Sequence, residues 1–345
     1  MPARVTTIAF EGAEVRRVEA EVVLTKGHVA FQVVGLGDKA VAESKERVRG
    51  AFAGIGLGIP NQRIVANLSP ADLPKEGTHY DLPIMLALMV VMGLIPQDAL
   101  DGYVCVGEMK LDGQIAAIAG ALPAAIAANG WGLGLICPHD NGPEAMWGGN
   151  DDVLAPKSVI ALINHFKGVA VLERPVRGEL ASPAHPVDLR EVKGQEVPKR
   201  ALEVAAAGGH NLLFVGPPGS GKSMLAQRLP GILPPMNSQE LLETSQVWSM
   251  AGLIAKGELT RERPFRAPHH SASMAALTGG GMRAKPGEVS LAHNGVLFLD
   301  ELPEFSPQAL DALRQPLETN EVVVARANHH VKYPARVQLV AAMNP

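Results

Sequence analysis

Cysteine is nearly absent from this 345-residue sequence, which holds only Cys105 and Cys137. Two such residues cannot supply a disulfide framework, and neither has a second Cys or His at metal-ligand spacing, so no structural zinc site is expected. They read as small buried residues of a protein in a reducing compartment. Aromatic residues are also scarce, at 4%, which removes a base-stacking platform as a way of holding nucleic acid. Long apolar runs are missing: the longest, Leu82 to Ile95, falls short of the ~20 residues that a spanning helix needs. The N-terminus has no basic-plus-apolar leader pattern, so the expected location is the cytoplasm with no membrane partner. Neither charge sign dominates, since the net charge is −4. Any contact with nucleic acid must therefore use local patches or a ring of subunits.

What is present suits a soluble globular protein, 47% hydrophobic and 19% charged, and too long for one ordinary core. The stretch ERPVRGELASPAHPVD (173–188) carries three prolines, a glycine and no apolar periodicity. It reads as a linker between a domain at 1–172 and another at 189–345. Before it, EVRRVEAEVVL (14–24) and HVAFQVVGL (28–36) are β-rich around a Lys26-Gly27 turn. Asp38 caps a helix with Val41, Val48 and Phe52 on one face and Lys39, Glu46 and Arg47 in water. RIVANL (63–68) is a strand, Asp81 and Pro83 open a buried helix closed at Gly93, and Asp112-Gly113 turns a hairpin. A small-residue helix near 121–129 and the strand LGLIC complete an α+β domain. After the linker come a helix stopped by Gly208-Gly209, a fully apolar strand NLLFV (211–215) expected to be buried, and a glycine-rich loop. That is the start of a parallel α/β sheet.

The chemistry concentrates in three places. GPPGSGKS (216–223) fits GxxxxGK[ST] between a strand and a helix. Gly216, Gly219 and Gly221 let the backbone wrap its N–H groups around phosphate oxygens, with Pro217, Pro218, Ser220 and Met224 completing the loop and its helix start. Lys222 reaches the β- and γ-phosphates of ATP, and the Ser223 hydroxyl ligates Mg²⁺. GVLFLDE (295–301) is an apolar strand presenting Asp300 and Glu301 at its carboxyl end, where ligands bind in open α/β sheets. Asp300 is assigned to the Mg²⁺ shell and Glu301 to the attacking water, because phosphoryl transfer needs positioning and charge neutralisation. RVQLVAAMN (336–344) is another strand, whose terminal Asn344 lies beside the γ-phosphate if the two strands are neighbours. Outside that context an asparagine there is an ordinary turn former.

Between these strands, residues 256–288 carry six Lys/Arg against three Asp/Glu, with His269, His270 and the run Gly279–Gly281. Arg266, Arg283 and Lys285 with the two histidines could meet phosphates. A solvated loop with two satisfied histidines has the same composition. Adjacent histidines with no thiolate nearby do not make a zinc site. EVVVARANHHVKYPARV (321–337) has two β-rich arms around Asn328-His329-His330, a hairpin made basic by Arg326, Lys332 and Arg336. Its tip suits a substrate contact in a pore, and equally an exposed surface hairpin. SPQALDALRQPLE (306–318) is expected as one helix capped by Ser306, with Leu310, Leu313 and Leu317 buried.

With GPPGSGKS, RPFRAPHHSAS, GEVSLAHNGVLFLDELPEF, ANHHVKYPARVQLVAAMNP, GLGDKAVAESKERVRGA and NLSPADLPKEGTHYDLPI, nearly the whole chain resembles the ComM/YifB family of magnesium-chelatase-like AAA+ ATPases. The resemblance implies an N-terminal ribosomal S5 domain 2-like, Lon-protease-like domain followed by a P-loop AAA+ module assembling as a homo-hexamer. It implies an ATPase that drives branch migration of DNA, helping incoming single strands integrate during natural transformation, with single-stranded or branched DNA as its partner. It further implies Walker A at Gly216–Ser223, Walker B at Asp300 and Glu301, sensor 1 at Asn344, and an adenine pocket lined by Val192 and Gln195. Residues 256–288 then correspond to a helix-2 insert and 321–337 to a pre-sensor-1 hairpin, both facing the pore.

Two departures shape the expectation. The serine and lysine of a Lon-type dyad have no counterpart in PKEGTHYDL (74–82) or IAGALPAA (118–125), so proteolysis is not expected and the N-terminal domain reads as a binding or assembly platform. The family's arginine finger, last sheet strand and helical lid follow the sensor asparagine, so the sequence reads as a truncated, by itself inactive, portion of the motor. A magnesium-chelatase-like insertase and a nucleotide-binding regulatory ATPase are the competing functions.

Overall fold

The computed structural model describes residues 2–181, 187–280, 285–325 and 330–345. The chain divides into two compact units, one of residues 1–179 with 252–258, the other of 180–251 with 259–345.

The first unit is built on a seven-stranded sheet. Its chain-order elements are β1 (Ala3–Glu11), β2 (Glu14–Thr25), β3 (Ala30–Val34), α1 (Lys39–Gly54), β4 (Arg63–Ser69), α2 (Asp81–Val91) and β5 (Tyr103–Cys105). There follow the small hairpin β6 (Glu108–Met109) and β7 (Ile115–Ala116), α3 (Ala121–Gly130), β8 (Gly134–Ile136), α4 (Gly142–Ala145), β9 (Val153–Leu154) and α5 (Val159–Phe166). The sheet order is β3-β4-β2-β1-β5-β8-β9. β1 and β2 form an antiparallel hairpin in register from Ala3↔Val22 to Glu11↔Glu14. The Lys26-Gly27 turn does not make neighbours of β2 and β3, because β4 lies between them, antiparallel to β2 and parallel to β3.

α2 packs on this sheet with Asp81 to Met89 all buried, so it is apolar all round apart from its first residue. Each Leu, Ile or Met interred there contributes roughly 1.5–3 kcal/mol. α1 begins as its sequence dictates, with Asp38 Oδ1 accepting from Val41 N at 2.8 Å. Lys39 and Glu46 are exposed, but Arg47 is not in water. Its side chain is 20% exposed and forks onto the fully buried Asp81, at 2.6 and 3.0 Å. A carboxylate at the start of a buried helix needs a cation, and α1 supplies it from the face assigned to solvent. Gly113, at φ 81°, turns the β6–β7 hairpin where the sequence placed it.

The second unit holds β10 (Leu180–Ala181), α6 (Glu196–Gly208), β11 (Leu212–Val215), α7 (Lys222–Ala226), α8 (Leu229–Ile232), α9 (Ser238–Ala251), β12 (Leu259–Thr260) and β13 (Phe265–Arg266). Next come α10 (Met274–Thr278), β14 (Gly279–Gly280), β15 (Lys285–Pro286), α11 (Glu288–Leu291), β16 (Gly295–Leu299), α12 (Pro307–Asp311) and α13 (Arg314–Thr319). β17 (Glu321–Ala325), β18 (His330–Pro334) and β19 (Val337–Met343) close the series. Its main sheet is parallel, in the order β11-β19-β16-β13. Side-chain alternation gives the sheet two cores: Val296 and Phe298 pack with residues of α6–α8, and Leu297 and Leu299 with residues of α10–α12.

Two expectations change here. β11 is not a buried strand but the edge of its sheet, with Leu213 49% and Val215 57% exposed. An all-apolar run cannot by itself distinguish a central strand from an edge one. The helix expected at 306–318 is two helices meeting at Ala312-Leu313. Pro316 has no N–H for the carbonyl of residue 312 and its ring crowds that group, so the helix breaks one turn earlier. Ser306 caps the first piece, its Oγ accepting from Ala309 N at 3.2 Å, and Leu313 is buried while Leu310 and Leu317 are half-buried.

Candidate functional site

The geometry of the site follows from parallel pairing. β11 and β19 run together from Leu212↔Val340 to Val215↔Met343, and β16 and β19 from Gly295↔Val337 to Leu299↔Ala341. Parallel strands in register bring their carboxyl ends to one edge. Residue 216, Asn344 and Asp300 therefore emerge side by side, though 128 residues separate the first two in sequence. The Gly216 N–H, donating to Met343 O at 3.3 Å, continues the ladder into the loop.

Residues 216–221 turn back over that edge into α7. Gly219 at φ 75° and Gly221 at φ 88° occupy the left-handed region, where an L side chain is strained. A Cβ at Gly219 would meet nothing within 4 Å, and one at Gly216 would lie 3.0 Å from Ser220 Oγ. Lys222 Nζ donates to Gly216 O at 2.7 Å, Pro217 O at 3.0 Å and Asn344 Oδ1 at 2.9 Å. Ser223 Oγ donates to Asp300 Oδ2 at 2.6 Å. The three polar elements read from the sequence thus meet as one constellation, within the second unit.

Asp300 Oδ1 also accepts from Glu301 N at 3.0 Å. Glu301 itself is left-handed, at φ 53°, and half-exposed, with Oε2 3.3 Å from His270 Nδ1. Gln195, at φ 60°, opens α6 and donates through Nε2 to Ser220 O at 3.2 Å, beside the loop. Val192 is buried in the core with Leu202, Phe214 and Leu225. Met224 is exposed on α7.

Phosphate and Mg²⁺ fit these residues. The loop holds a buried hydroxyl, Ser220 Oγ, without a hydrogen-bond partner, and a polar group so placed ordinarily has a ligand or water to satisfy it. Ser223 and Asp300 offer two hard oxygens at hydrogen-bond distance. Among the described residues no cluster of three His, Cys, Asp or Glu could hold a metal. Two protein oxygens with the rest of the shell from phosphate and water is the usual Mg²⁺ arrangement.

The residues marked for polyanion contact are placed less uniformly. Arg266 forks onto Glu288 at 2.6 and 2.8 Å, and Lys332 lies 3.4 Å from Glu321 on the facing hairpin strand. Arg263 reaches Glu240, and Arg261 the Met236 carbonyl, so with Arg266 three of the six basic residues of 256–288 are tied within their own unit. Lys285 is exposed, and the rings of His269 and His270 lie 4.0 Å apart between centroids, tilted at 36°. Arg283 and Arg326 lie outside the described residues. The hairpin arms pair as read, from Glu321↔Pro334 to Ala325↔His330.

Sequence reasoning missed the His270–Glu301 contact. No local signal pointed to it: the PHH segment follows β13, and only the fold pairs β13 in parallel with the strand delivering Glu301.

The family model described as "Magnesium chelatase, subunit ChlI" matches residues 188–345, and "Subunit ChlI of Mg-chelatase" matches residues 20–141. The chain is 44% identical to the YifB protein of Salmonella typhimurium over 341 residues, covering 99% of this chain and 67% of the relative. It is 44% identical over 344 residues to the competence protein ComM of Haemophilus influenzae, covering 98% and 67%. Likeness to the magnesium-chelatase 38 kDa subunit of Cereibacter sphaeroides is weaker, 28% over 178 residues, covering 46% and 53%. The described residues contain no helix long and apolar enough to cross a membrane.

Proposed function

The chain belongs to the ComM/YifB family of magnesium-chelatase-like AAA+ proteins, and from that premise we propose that it hydrolyses ATP to drive the remodelling of DNA, as part of a hexameric ring. The observation that carries the reading is the meeting of Lys222, Ser223, Asp300 and Asn344 at one sheet edge, through contacts of 2.6 and 2.9 Å. Together they offer a cation, a hydroxyl, a carboxylate and an amide around a loop whose backbone wraps on glycines. That set suits an anhydride carrying several negative charges.

In this reading the loop 216–221 and Lys222 bind the β- and γ-phosphates, Gln195 and Val192 border the base, and Ser223 with Asp300 hold Mg²⁺. Bound Mg²⁺ supplies charge neutralisation across the phosphates. Asn344 orients the γ-phosphate through the same contact edge that now meets Lys222. Glu301 takes the proton of the attacking water, as that oxygen bonds to the γ-phosphorus and the bond to the β-phosphate breaks with its electron pair. The first unit acts as a Lon-like binding or assembly platform, and Lys285 with the hairpin 321–337 faces DNA in the ring's pore. The printed name of the Haemophilus relative, a competence protein, supports DNA as the partner.

A chelatase-type insertase is the second reading, favoured by the ChlI match at both ends of the chain. Turnover of ATP by the complete reading frame separates the two. Forked or three-stranded DNA should stimulate it, and protoporphyrin with Mg²⁺ should not. Stimulation by porphyrin without any effect of DNA would overturn the motor.

A further inference from the structure

The phosphate loop continues a sheet strand, but the segment that borders the base in the proposed function, residues 188–195, belongs to no sheet. Its backbone hydrogen bonds are local: Glu191 N donates to Asp188 O at 3.2 Å and Val192 N to Leu189 O at 3.1 Å. It ends in two successive left-handed residues, Gly194 at φ 65° and Gln195 at φ 60°, just before α6. For the glutamine that is a sparsely populated conformation, which persists only when its surroundings fix it. Something outside the segment must therefore hold it in place.

Arg228 supplies that hold. Its side chain is only 11% exposed and reaches three oxygens: Nε donates to Asp188 O at 3.1 Å, Nη1 to Met224 O at 3.0 Å and Nη2 to Glu191 Oε2 at 3.2 Å. Glu191 is 58% exposed, so its ion pair contributes little. The two carbonyls matter more. One opens the turn at 189–191, and the other belongs to α7, the helix that begins with Lys222 and Ser223. The rigid fork of a guanidinium spans such acceptors together, which an ammonium does not. Beneath the fork, Leu189 and Val192 pack in one core with Leu225 and Leu229. At the other end of the segment Gln195 Nε2 donates to Ser220 O at 3.2 Å. Residues 188–195 are thus pinned at both ends to the loop and helix that bind phosphate in the proposed function.

We infer that Arg228 is the positioning residue for the base side of the nucleotide site, fixing the turn at 188–191 to α7 so that Val192 and Gln195 stand at a set distance from the phosphate loop. The inference rests on Val192 and Gln195 bordering the base of ATP. Arg228 acts through that segment and not through the phosphates. Its loss should therefore remove the share of affinity that the base contributes and keep the share that the phosphates contribute.

Isothermal titration of the complete reading frame with MgATP, and separately with Mg²⁺ and inorganic tripolyphosphate, tests it. Tripolyphosphate carries the phosphate chain without a base. The proteins are wild type, Arg228→Met, Arg228→Lys and Glu191→Ala. Arg228→Met should weaken ATP by about tenfold, the scale of lost hydrogen bonds from a charged donor, and leave tripolyphosphate within about twofold. In turnover the same variant should raise KM for ATP with kcat at saturation within about twofold, the signature of lost uniform binding. Arg228→Lys should lose less, since it keeps the charge and can hold one carbonyl. Glu191→Ala should stay within about twofold of wild type for both ligands. Equal weakening of the two ligands in Arg228→Met marks a merely structural role and overturns the inference. So does a fall in kcat with KM unchanged, or a loss in Glu191→Ala as large as in Arg228→Met. Should Arg228→Met fail to fold by circular dichroism, Arg228→Lys decides: an ATP-selective loss of about threefold supports the inference, and an undiminished preference for ATP overturns it. If wild type binds ATP no tighter than tripolyphosphate, the reading of the base side fails and the inference with it. A wild-type preference that Arg228→Met retains in full sinks the inference alone.

Discussion

Arg47→Met isolates the buried ion pair of the first unit. Asp81 is fully buried at the start of α2, where burial raises its pKa from the ordinary carboxylate range while Arg47, Ser44 and the Met109 N–H pull it back. Arg47 forks onto it at 2.6 and 3.0 Å, a pairing that raises the guanidinium's pKa, and its Nη2 also donates to Ala40 O at 2.7 Å. A methionine keeps most of the stem's packing and removes the charge, so the carboxylate is left with neutral partners alone, the Ser44 hydroxyl and the Met109 N–H at 3.2 Å. Stranding one member of a buried pair costs about 3–5 kcal/mol. The cost should depend on pH with a definite sign. Without Arg47 the folded-state pKa of Asp81 rises further, so its protonated form relieves the penalty in acid. The gap between variant and wild type should then be small near pH 4 and grow as pH rises toward 8. Hydrogen exchange in peptides from α1 and α2, read as local opening free energies at several pH values, measures this. Asp81→Leu added to Arg47→Met should recover most of the loss, because a well-packed apolar pair replaces ions without desolvating them. A loss below about 1 kcal/mol at pH 8, a pH-independent loss, or a double variant no better than the single one would refute the reasoning.

Glu301→Gln should keep ATP binding while hydrolysis falls by two orders of magnitude or more, a rough scale for a lost general base; fluorescent-nucleotide titration beside turnover checks it. Ser223→Ala removes the hydroxyl 2.6 Å from Asp300 and should weaken Mg²⁺-dependent nucleotide binding more than Mg²⁺-free binding, by isothermal titration. His79 is wholly buried with its pKa lowered to about 4 by desolvation. The unfolded chain therefore takes up a proton near its ordinary value while the folded one does not, and the first unit should lose on the order of 3 kcal/mol as pH falls from 6.5 to 4. Urea unfolding of wild type and His79→Gln should show that slope flattened in the variant. Leu86→Ala, in the fully buried stretch of α2, should destabilise the same unit by about 2–5 kcal/mol in thermal unfolding.

The candidate site was unusually legible, because its residues are strand-end residues and the strands announce themselves as apolar runs. GPPGSGKS, Asp300 and Asn344 could each be assigned a place on the carboxyl edge before any coordinates. What could not be read was the partner of each charge. Arg266 and Arg47 look alike in sequence, exposed and available, yet Arg266 is committed to Glu288 and Arg47 to Asp81. Ion pairing across 22 or 34 residues leaves no periodic trace.

Local sequence determined the conformations that a few residues dictate: the cap at Asp38, the turn at Gly113, the glycine-built phosphate loop and its flanking strand and helix. These depend on allowed backbone angles and hydrogen bonds within a few residues, which composition specifies. The break at Pro316 was equally written in the sequence, in the missing N–H of one residue. Only the tertiary structure decided that β4 would part β2 from β3, that apolar β11 would lie at an edge, and that His270 would reach Glu301. Those outcomes depend on the order in which strands pair, and pairing is a relation between distant segments that neither segment encodes alone.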